Sequence, residues 1–189
     1  LTTLKYKNRS LVDLLEKFKH VSIGASIDGM DDTVEYIRTN LVWDDFVKNY
    51  DTVKEKLPNV NIFPSSTISI LNIETFHEFE KFAIENKWTS NNVSSYGYVT
   101  WPSHMDIRYL PRWYKDELID IYNNHCQWLL HNNIDEHSSN YLKILELINN
   151  LNSIDHEASV VNDKMQKLEN ELNKFDRTAK LDWKSSIPH

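Results

Sequence analysis

The chain has 189 residues, with 21 Lys and Arg against 28 Asp and Glu, so its formal net charge at pH 7 is −7. This acidic balance argues against a large nucleic-acid interface, because binding phosphates requires a concentrated basic face. Hydrophobic residues make up 40% and aromatic residues 12% of the chain, which predicts a folded domain with a sizeable core and not a disordered segment. No run of about 18 apolar residues occurs, so we expect no membrane partner.

The single cysteine, Cys126, restricts the chemistry open to this chain. It excludes an internal disulfide bond and a four-cysteine zinc site, and one thiolate cannot hold an iron–sulfur cluster. Low cysteine usage is typical of a reducing compartment, so we expect a cytoplasmic location. The start at Leu1 without a methionine, and the end at His189 without a polar tail, predict a fragment of a longer protein.

The first half of the chain alternates between helical and strand patterns. We predict three strands, over 21–27, 60–71 and 93–101. We predict three helices: one over 11–18 capped by Ser10, one capped by Asp44 and ending at Leu57, and one over 73–87 capped by Asn72. The segment over 31–40 is predicted to be a loop with a short helical turn as an alternative. Pro64 inside the second strand predicts an edge position, a bulge or a later start. Strands alternating with helices predict parallel strands joined by right-handed crossovers.

The last third of the chain is predicted to be helical. The expected helices run from Pro111 to about His131, from a cap at Ser138 or Ser139 to about Leu151, and through apolar positions 161, 165, 168, 172 and 175. We therefore predict an α/β region over 1–108 followed by a helical extension over 109–189.

Two of the three glycines, Gly24 and Gly29, fall in one short segment over 21–30. Glycine removes the side chain that blocks the approach of a neighbour, so this segment predicts a buried strand with something packed closely against it. We expect Gly24 and Ala25 to allow tight strand packing more than ligand contact. Three parallel strands make a small sheet with uncovered edges, so the α/β region looks like half of a larger structure.

The segment Ser26-Ile27-Asp28-Gly29, followed by Arg38 and by a helix near Trp43, resembles the fourth strand and following loop of radical SAM enzymes that carry SPASM or twitch domains. The strand over 67–72, which ends in asparagine, and the strand over 96–102, which ends in proline, are similar to the fifth and sixth strands of that family. The resemblance implies the second half of a partial (β/α)₆ TIM-like barrel.

Two dipeptides near the end of the chain carry the resemblance further. Asp176-Arg177 and Ile187-Pro188 resemble the ending of the C-terminal helix in twitch-type members. The CxxxCxxC loop that defines the family is missing, since Cys126 lies in a late helix. On this interpretation the cluster loop belongs to residues upstream of Leu1, and the twitch-region cysteines are absent as well.

The resemblance implies a cofactor site at the carboxyl ends of the strands. Ser26 would contact the ribose or methionine part of S-adenosylmethionine, and Arg38 would bind its carboxylate, since a guanidinium suits a carboxylate bidentately. Asp28 would lie on the same rim, Val99 would lie near the adenine, and Asn72 would contact the ligand in the intact enzyme.

Each of these residues also has a purely structural interpretation. Ser26 and Asp28 would close a turn with Gly29, while Arg38 would pair with an acidic residue at position 31, 32 or 35. Asn72 would cap a helix, Val99 would pack in the core, and Trp101 would face solvent. For this chain by itself the structural interpretation of Ser26, Asp28 and Arg38 is favoured.

The resemblance implies that the intact protein binds S-adenosylmethionine and a 4Fe–4S cluster, generates a 5′-deoxyadenosyl radical, and acts on an undetermined substrate such as a peptide. In this chain we expect no cofactor, no catalytic residue and no metal ligand, so whether it belongs to an enzyme rests on the resemblance. His125, His131 and His137 lack the spacing that places two imidazoles on one helical face. His77 and Glu80 share a helix, but the second copy of that pattern found in di-iron bundles is absent.

The alternative is a non-enzymatic α/β module for binding or self-association. A half-barrel has two unpaired sheet edges and an interior face without a partner, which we expect to be apolar. On either interpretation we expect a homo-oligomer that forms through exposed sheet edges.

Overall fold

The computed structural model describes residues 1–89 and 95–187. This part of the chain is an α/β structure with five strands, eight helices and two 3₁₀ turns. The strands are β1 (Lys5–Tyr6), β2 (Arg9–Ser10), β3 (Val21–Ser26), β4 (Val60–Ile68) and β5 (Ser95–Tyr98). The helices are α1 (Leu11–Leu15), α2 (Asp31–Ile37), α3 (Trp43–Lys56), α4 (Phe76–Glu85), α5 (Arg112–His131), α6 (Ser139–Asn152), α7 (Ala158–Ala179) and α8 (Trp183–Ser186), and the 3₁₀ turns are Ser103–Met105 and Ile107–Tyr109.

The three longer strands form one parallel sheet in the order β3-β4-β5. The prediction of parallel strands joined by crossover helices is confirmed. Of the predicted third strand, Ser95–Tyr98 forms β5, while Val93 and Ser94 lie outside the described residues, as does Pro188 near the C terminus. The antiparallel hairpin of β1 and β2 was not predicted.

Pro64 lies in the central strand of the sheet, so an edge position is wrong for this strand. The oxygen of Ser65 accepts a hydrogen bond from the N–H of Ile27 on the β3 side. Because alternate residues of a strand point their backbone groups to opposite sides, the nitrogen of Pro64 faces the β5 side. Because this nitrogen faces away from β3, the missing N–H removes no hydrogen bond to β3. On the other side, the described pairing with β5 begins only at Ser65.

Two predicted helix starts are confirmed and four predictions are corrected. Ser10 and Ser138 cap α1 and α6, since their hydroxyl groups accept from backbone N–H groups three residues later. The predicted loop over 31–40 contains α2. Asp44 does not cap α3; instead the N–H of Trp43 donates to Oε1 of Glu35 at 2.7 Å. Asn72 does not cap α4, which begins at Phe76. The proline predicted at the first position of the long helix lies directly before α5.

The main core lies between one face of the sheet and helices α3 to α6. Sheet residues such as Ile27 and Ile62 belong to the same buried cluster as Phe46 of α3, Leu118 of α5 and Leu147 of α6. The core is therefore shared between the two segments, 1–108 and 109–189, and the boundary between them stays a prediction. Within the described part of the chain, none of the helices combines the length and apolar character needed to cross a bilayer.

The opposite face of the sheet is open to solvent in the part of the chain that the structure describes. The chain crosses from β3 to β4 to β5 in one direction, and crossovers between parallel strands are right-handed as a rule, so α3 and α4 lie on the same side and leave the other side uncovered. The side chains and glycines on this open face are exposed or half-buried, and none carries a formal charge. They are Ser22, Gly24 and Ser26 of β3, Asn61, Phe63, Ser65 and Thr67 of β4, and Gly97 and Val99 at β5.

The open face corrects two expectations. The segment over 21–27 is buried on one side only, since Gly24 is exposed. A Cβ added at Gly24 would lie 3.5 Å from Cβ of Ser65 and 3.6 Å from the ring of Phe63, which are ordinary contacts, so tight packing does not require this glycine. The face is small and mostly polar, whereas we expected it to be apolar.

Candidate functional site

Asp28 and Arg38 form an ion pair at the carboxyl end of the sheet, where parallel α/β folds bind ligands. Nη2 of Arg38 lies 2.7 Å from Oδ2 of Asp28, and the side chains are 33% and 10% exposed. The other carboxylate oxygen of Asp28 accepts the N–H of Thr67 at 2.7 Å, which links the end of β3 to β4. Arg38 therefore pairs with Asp28 and not with the acidic residues of α2 proposed by the structural interpretation.

Asn72 joins the same network from the turn after β4. Its Oδ1 accepts the N–H of Ser69 at 2.8 Å, and its Nδ2 donates to the carbonyl oxygens of Asp28 at 2.6 Å and Thr67 at 2.9 Å. The residue is 1% exposed. Its side chain thus forms hydrogen bonds with buried backbone groups at the ends of two strands. This is a structural role, but it differs from the predicted role of capping a helix.

Ser26 and Val99 lie on the open face at the carboxyl ends of the two outer strands. Ser26 is exposed and is in register with Ser65 of the central strand. Val99 is half-buried, and its N–H donates to the oxygen of Ile68 at 2.8 Å. Trp101, two residues further on, is 86% exposed, as one of the alternatives predicted.

The five predicted site residues therefore separate into two groups. Asp28, Arg38 and Asn72 are joined by hydrogen bonds and an ion pair at the rim. Ser26 and Val99 are on different outer strands, with β4 between them. The arrangement can present a hydroxyl group and a partly exposed guanidinium to a ligand above the rim, although the guanidinium already has an anionic partner.

Negative charge collects beside the rim at the start of α2. The pKa of Asp31 is raised above its ordinary value, first by partial burial and then by the nearby carboxylates of Asp32 and Asp44. An additional anionic ligand would experience the same repulsion at this end of α2. An anion at the rim would therefore be expected on the Arg38 side.

The described residues do not fit an iron–sulfur cluster. Cys126 is buried in α5, and burial together with the charge of Glu80 raises the pKa of its thiol to about 11, which disfavours the thiolate that binds iron. Among residues 1–89 and 95–187, no group of three or more His, Cys, Asp or Glu side chains is arranged to hold a metal ion.

A buried pair that the sequence analysis did not identify lies between α4 and α5. Nε2 of His125 is 2.7 Å from Oε2 of Glu80, and the two side chains are 0% and 2% exposed. The ring of His77 is 6.1 Å from that of His125. Helical spacing could have indicated the pair, since each residue lies three or four positions from apolar residues that face the core, Phe76 in one helix and Leu129 in the other.

We also compared this chain with known proteins. No family model, no curated protein and no solved structure matches it.

Proposed function

We propose that this chain is the C-terminal part of a radical SAM-type enzyme, in which its sheet is the second half of a partial (β/α)₆ barrel. The intact protein would bind S-adenosylmethionine and a 4Fe–4S cluster for radical chemistry on a substrate that stays undetermined. The chain by itself would be catalytically inactive, because the cluster ligands would come from residues outside it.

The open face of the sheet is the observation that carries this proposal. Solvent-exposed protein surfaces usually carry charges, and 26% of this chain is charged, yet none of the described side chains on the open face is charged. An uncovered sheet face made mainly of serine, threonine, asparagine and glycine, with Phe63 and Val99 as its apolar members, suits the interior of a barrel that a polar ligand occupies. The helices on the other face have the arrangement of the outer layer of a barrel.

The rim residues give the proposal a ligand site. The exposed hydroxyl group of Ser26 stands on the interior side of the half-barrel, and a third of the Arg38 side chain is exposed beside it. These groups would hold the polar parts of S-adenosylmethionine. Asp28 and Asn72 would position Arg38 and the strand ends and would not touch the ligand.

The cluster cannot be held by this chain, as the single buried thiol of Cys126 indicates. The proposal therefore assigns the cluster to a preceding part of the polypeptide. The coding sequence upstream of Leu1 tests this directly. A CxxxCxxC motif within about a hundred residues, the size of a small domain, supports the proposal, and its absence over that length contradicts it.

Titration calorimetry of the intact protein, extended upstream of Leu1, with S-adenosylmethionine tests the ligand site, because no cofactor is expected in this chain alone. We expect binding that Arg38→Ala abolishes and that Arg112→Ala leaves unchanged. Arg112 is a matched control because it is an arginine whose ion pair is with Asp116 of its own helix and not with a residue of the candidate site. Binding that survives Arg38→Ala would contradict the role of Arg38 in the proposed site.

A self-association module is the second candidate function. It is favoured by the two outer edges of the sheet, because β3 and β5 each have a strand neighbour on one side only among the described residues. An unpaired edge is a template for pairing with another chain. Light scattering at micromolar concentration tests it: a dimer or larger assembly supports the candidate, and a clean monomer contradicts it.

A further inference from the structure

The last two helices pack against the molecule separately from its main core. Leu151 is the last residue in sequence of the main core cluster. Among the described buried residues, none from α7 or α8 belongs to that cluster. The helices contribute Leu168, Leu172 and Ile187 (which follows α8) to a second, smaller cluster. A segment that shares few buried contacts with the core has a lower local stability than the core itself.

This second cluster lies at the carboxyl end of the sheet. Its other buried members are Tyr36 of α2, which follows β3, and Leu71, which follows β4. Met105, in the 3₁₀ turn that follows β5, packs against the cluster as well. The two helices therefore touch the segments after all three parallel strands, next to Arg38 and Asn72 of the candidate site.

Asp176 holds the end of α7 in this position. Its Oδ1 accepts the hydroxyl group of Tyr36 at 2.9 Å, and its Oδ2 accepts the backbone N–H of Trp183 at 3.0 Å. One carboxylate thus joins α7 to both α2 and α8. The hydroxyl group of Thr33 adds a hydrogen bond to the carbonyl oxygen of Ser186 at 3.0 Å.

Further contacts join α7 to the segment after β5. Nε2 of His104 lies 2.8 Å from Oε2 of Glu171. The ring of Tyr109 stacks on His156, just before α7, with a centroid distance of 4.2 Å. Nζ of Lys164 lies 5.3 Å from the centroid of the same tyrosine ring. These contacts are polar or near the surface, so they release at a smaller cost than a packed core.

We propose that α7 and α8 form a strap, residues 158–187, that undocks from the rim of the sheet as one unit while the main core stays folded. Undocking exposes Tyr36 and Leu71 and opens the side of the rim that carries Arg38 and Asn72. The strap thereby controls access to the rim, whichever ligand the rim binds. This inference does not depend on the proposed function, because it follows from the packing alone.

Hydrogen–deuterium exchange with mass spectrometry on the whole chain tests the strap. Asp176→Ala removes the carboxylate that joins α7 to α2 and α8. We expect exchange to become at least tenfold faster in peptides covering 158–187, 31–38 and 69–73, with unchanged protection in α3, β4 and α5. Asp163→Ala is the matched control, because Asp163 is an acidic residue of α7 that forms an ion pair with Lys167 of the same helix, and its loss leaves the described docking contacts intact.

Tyr36→Phe keeps the aromatic packing and removes only the hydroxyl group that donates to Asp176, so it tests the strap if Asp176→Ala fails to fold. We expect the same peptides to exchange faster, by a smaller factor. Faster exchange throughout the core would overturn the proposal, since the strap would then unfold only with the whole molecule. Unchanged exchange in the strap, or faster exchange in the strap without the rim peptides, would overturn it as well.

Discussion

The carboxylate of Asp28 is shared between the guanidinium of Arg38 and the backbone of Thr67, each at 2.7 Å. One oxygen neutralises a partly exposed cation, while the other satisfies an N–H group in the neighbouring strand. The two partners depend on this carboxylate unequally, because Arg38 is a third exposed and can be solvated. The backbone of Thr67 instead relies on Asp28 for a fixed hydrogen bond.

We expect Asp28→Ala to lower the free energy of unfolding by about 1–3 kcal/mol, because it leaves the N–H of Thr67 without its acceptor. Arg38→Ala should cost roughly 1 kcal/mol or less, as for other partly exposed ion pairs. Urea unfolding measures both. Asp120→Ala, on the exposed side of α5, is the control. A loss for Arg38→Ala equal to that for Asp28→Ala would show that the ion pair dominates.

Asn72 allows a test of donor geometry. Asn72→Ala removes four side-chain hydrogen bonds at a buried position and should cost about 1–3 kcal/mol. Asn72→Asp should cost more at pH 7, because it turns a carboxylate oxygen toward the carbonyl groups of Asp28 and Thr67. Thermal unfolding of the two variants compares them directly. Equal stability of the variants would mean that the Nδ2 bonds contribute little.

Replacing Gly24 and Gly29 by alanine should change the free energy of unfolding by different amounts. Gly24→Ala should be tolerated, since a Cβ there meets only ordinary contacts and alanine reduces the entropy of the unfolded chain. Gly29 has a φ of 156°, which residues with a side chain rarely adopt, so Gly29→Ala should cost about 1–3 kcal/mol. Chemical denaturation of both variants measures the contrast. A larger loss at position 24 would contradict this interpretation.

The thiol of Cys126 should resist modification in the folded protein. Its pKa is raised to about 11, mainly by burial and also by Glu80, so little thiolate forms at pH 8. With the folded protein, an aromatic disulfide reagent should therefore release its aromatic thiol slowly, at less than one equivalent per chain. In guanidinium chloride the release should be rapid and reach one equivalent per chain. Because the pKa in the folded protein exceeds the ordinary thiol value of 9.0, the stability from this group is present below pH 9 and is lost as the pH rises through about 11.

Two His–Glu pairs of similar length should differ in importance. The pair of Glu80 and His125 is almost fully buried, so Glu80→Ala should cost about 1–3 kcal/mol by leaving Nε2 of His125 without its hydrogen-bond partner in the core. In the pair of Glu171 and His104, the carboxylate is 61% exposed, and Glu171→Ala should cost roughly 1 kcal/mol or less. Urea unfolding of the two variants at pH 7 gives the comparison, and comparable losses would contradict the dependence on burial.

The local elements were largely predictable because their signals are local. Ser10 and Ser138 indicated helix starts through a hydroxyl group that reaches a backbone N–H three residues on. Such a signal fails where a distant group does the same task. Glu35 supplies the acceptor at the start of α3, so the nearby Asp44 is not needed there.

The positions of the candidate site residues relative to the strands could be predicted from the sequence, but their hydrogen-bond and ion-pair partners could not. The resemblance placed Asp28 and Asn72 at strand ends and Arg38 in the segment that follows the first of them; in the structure Asp28 follows β3, Asn72 follows β4, and Arg38 follows α2. Their partners could not be predicted, because Arg38 had several acidic neighbours in the sequence. The path of the chain after β3 decides which acidic side chain the guanidinium of Arg38 reaches.

The sequence by itself determined the alternation of strands and helices and therefore the parallel sheet, because hydrophobic periodicity and crossover handedness act over short stretches of chain. Only the tertiary structure decided that Pro64 lies in the central strand, that one face of the sheet is open and uncharged among the described residues, and that α7 and α8 dock on the rim. Those features depend on which distant surfaces meet. That choice is made by the packing of the whole chain and leaves no local pattern in the order of residues.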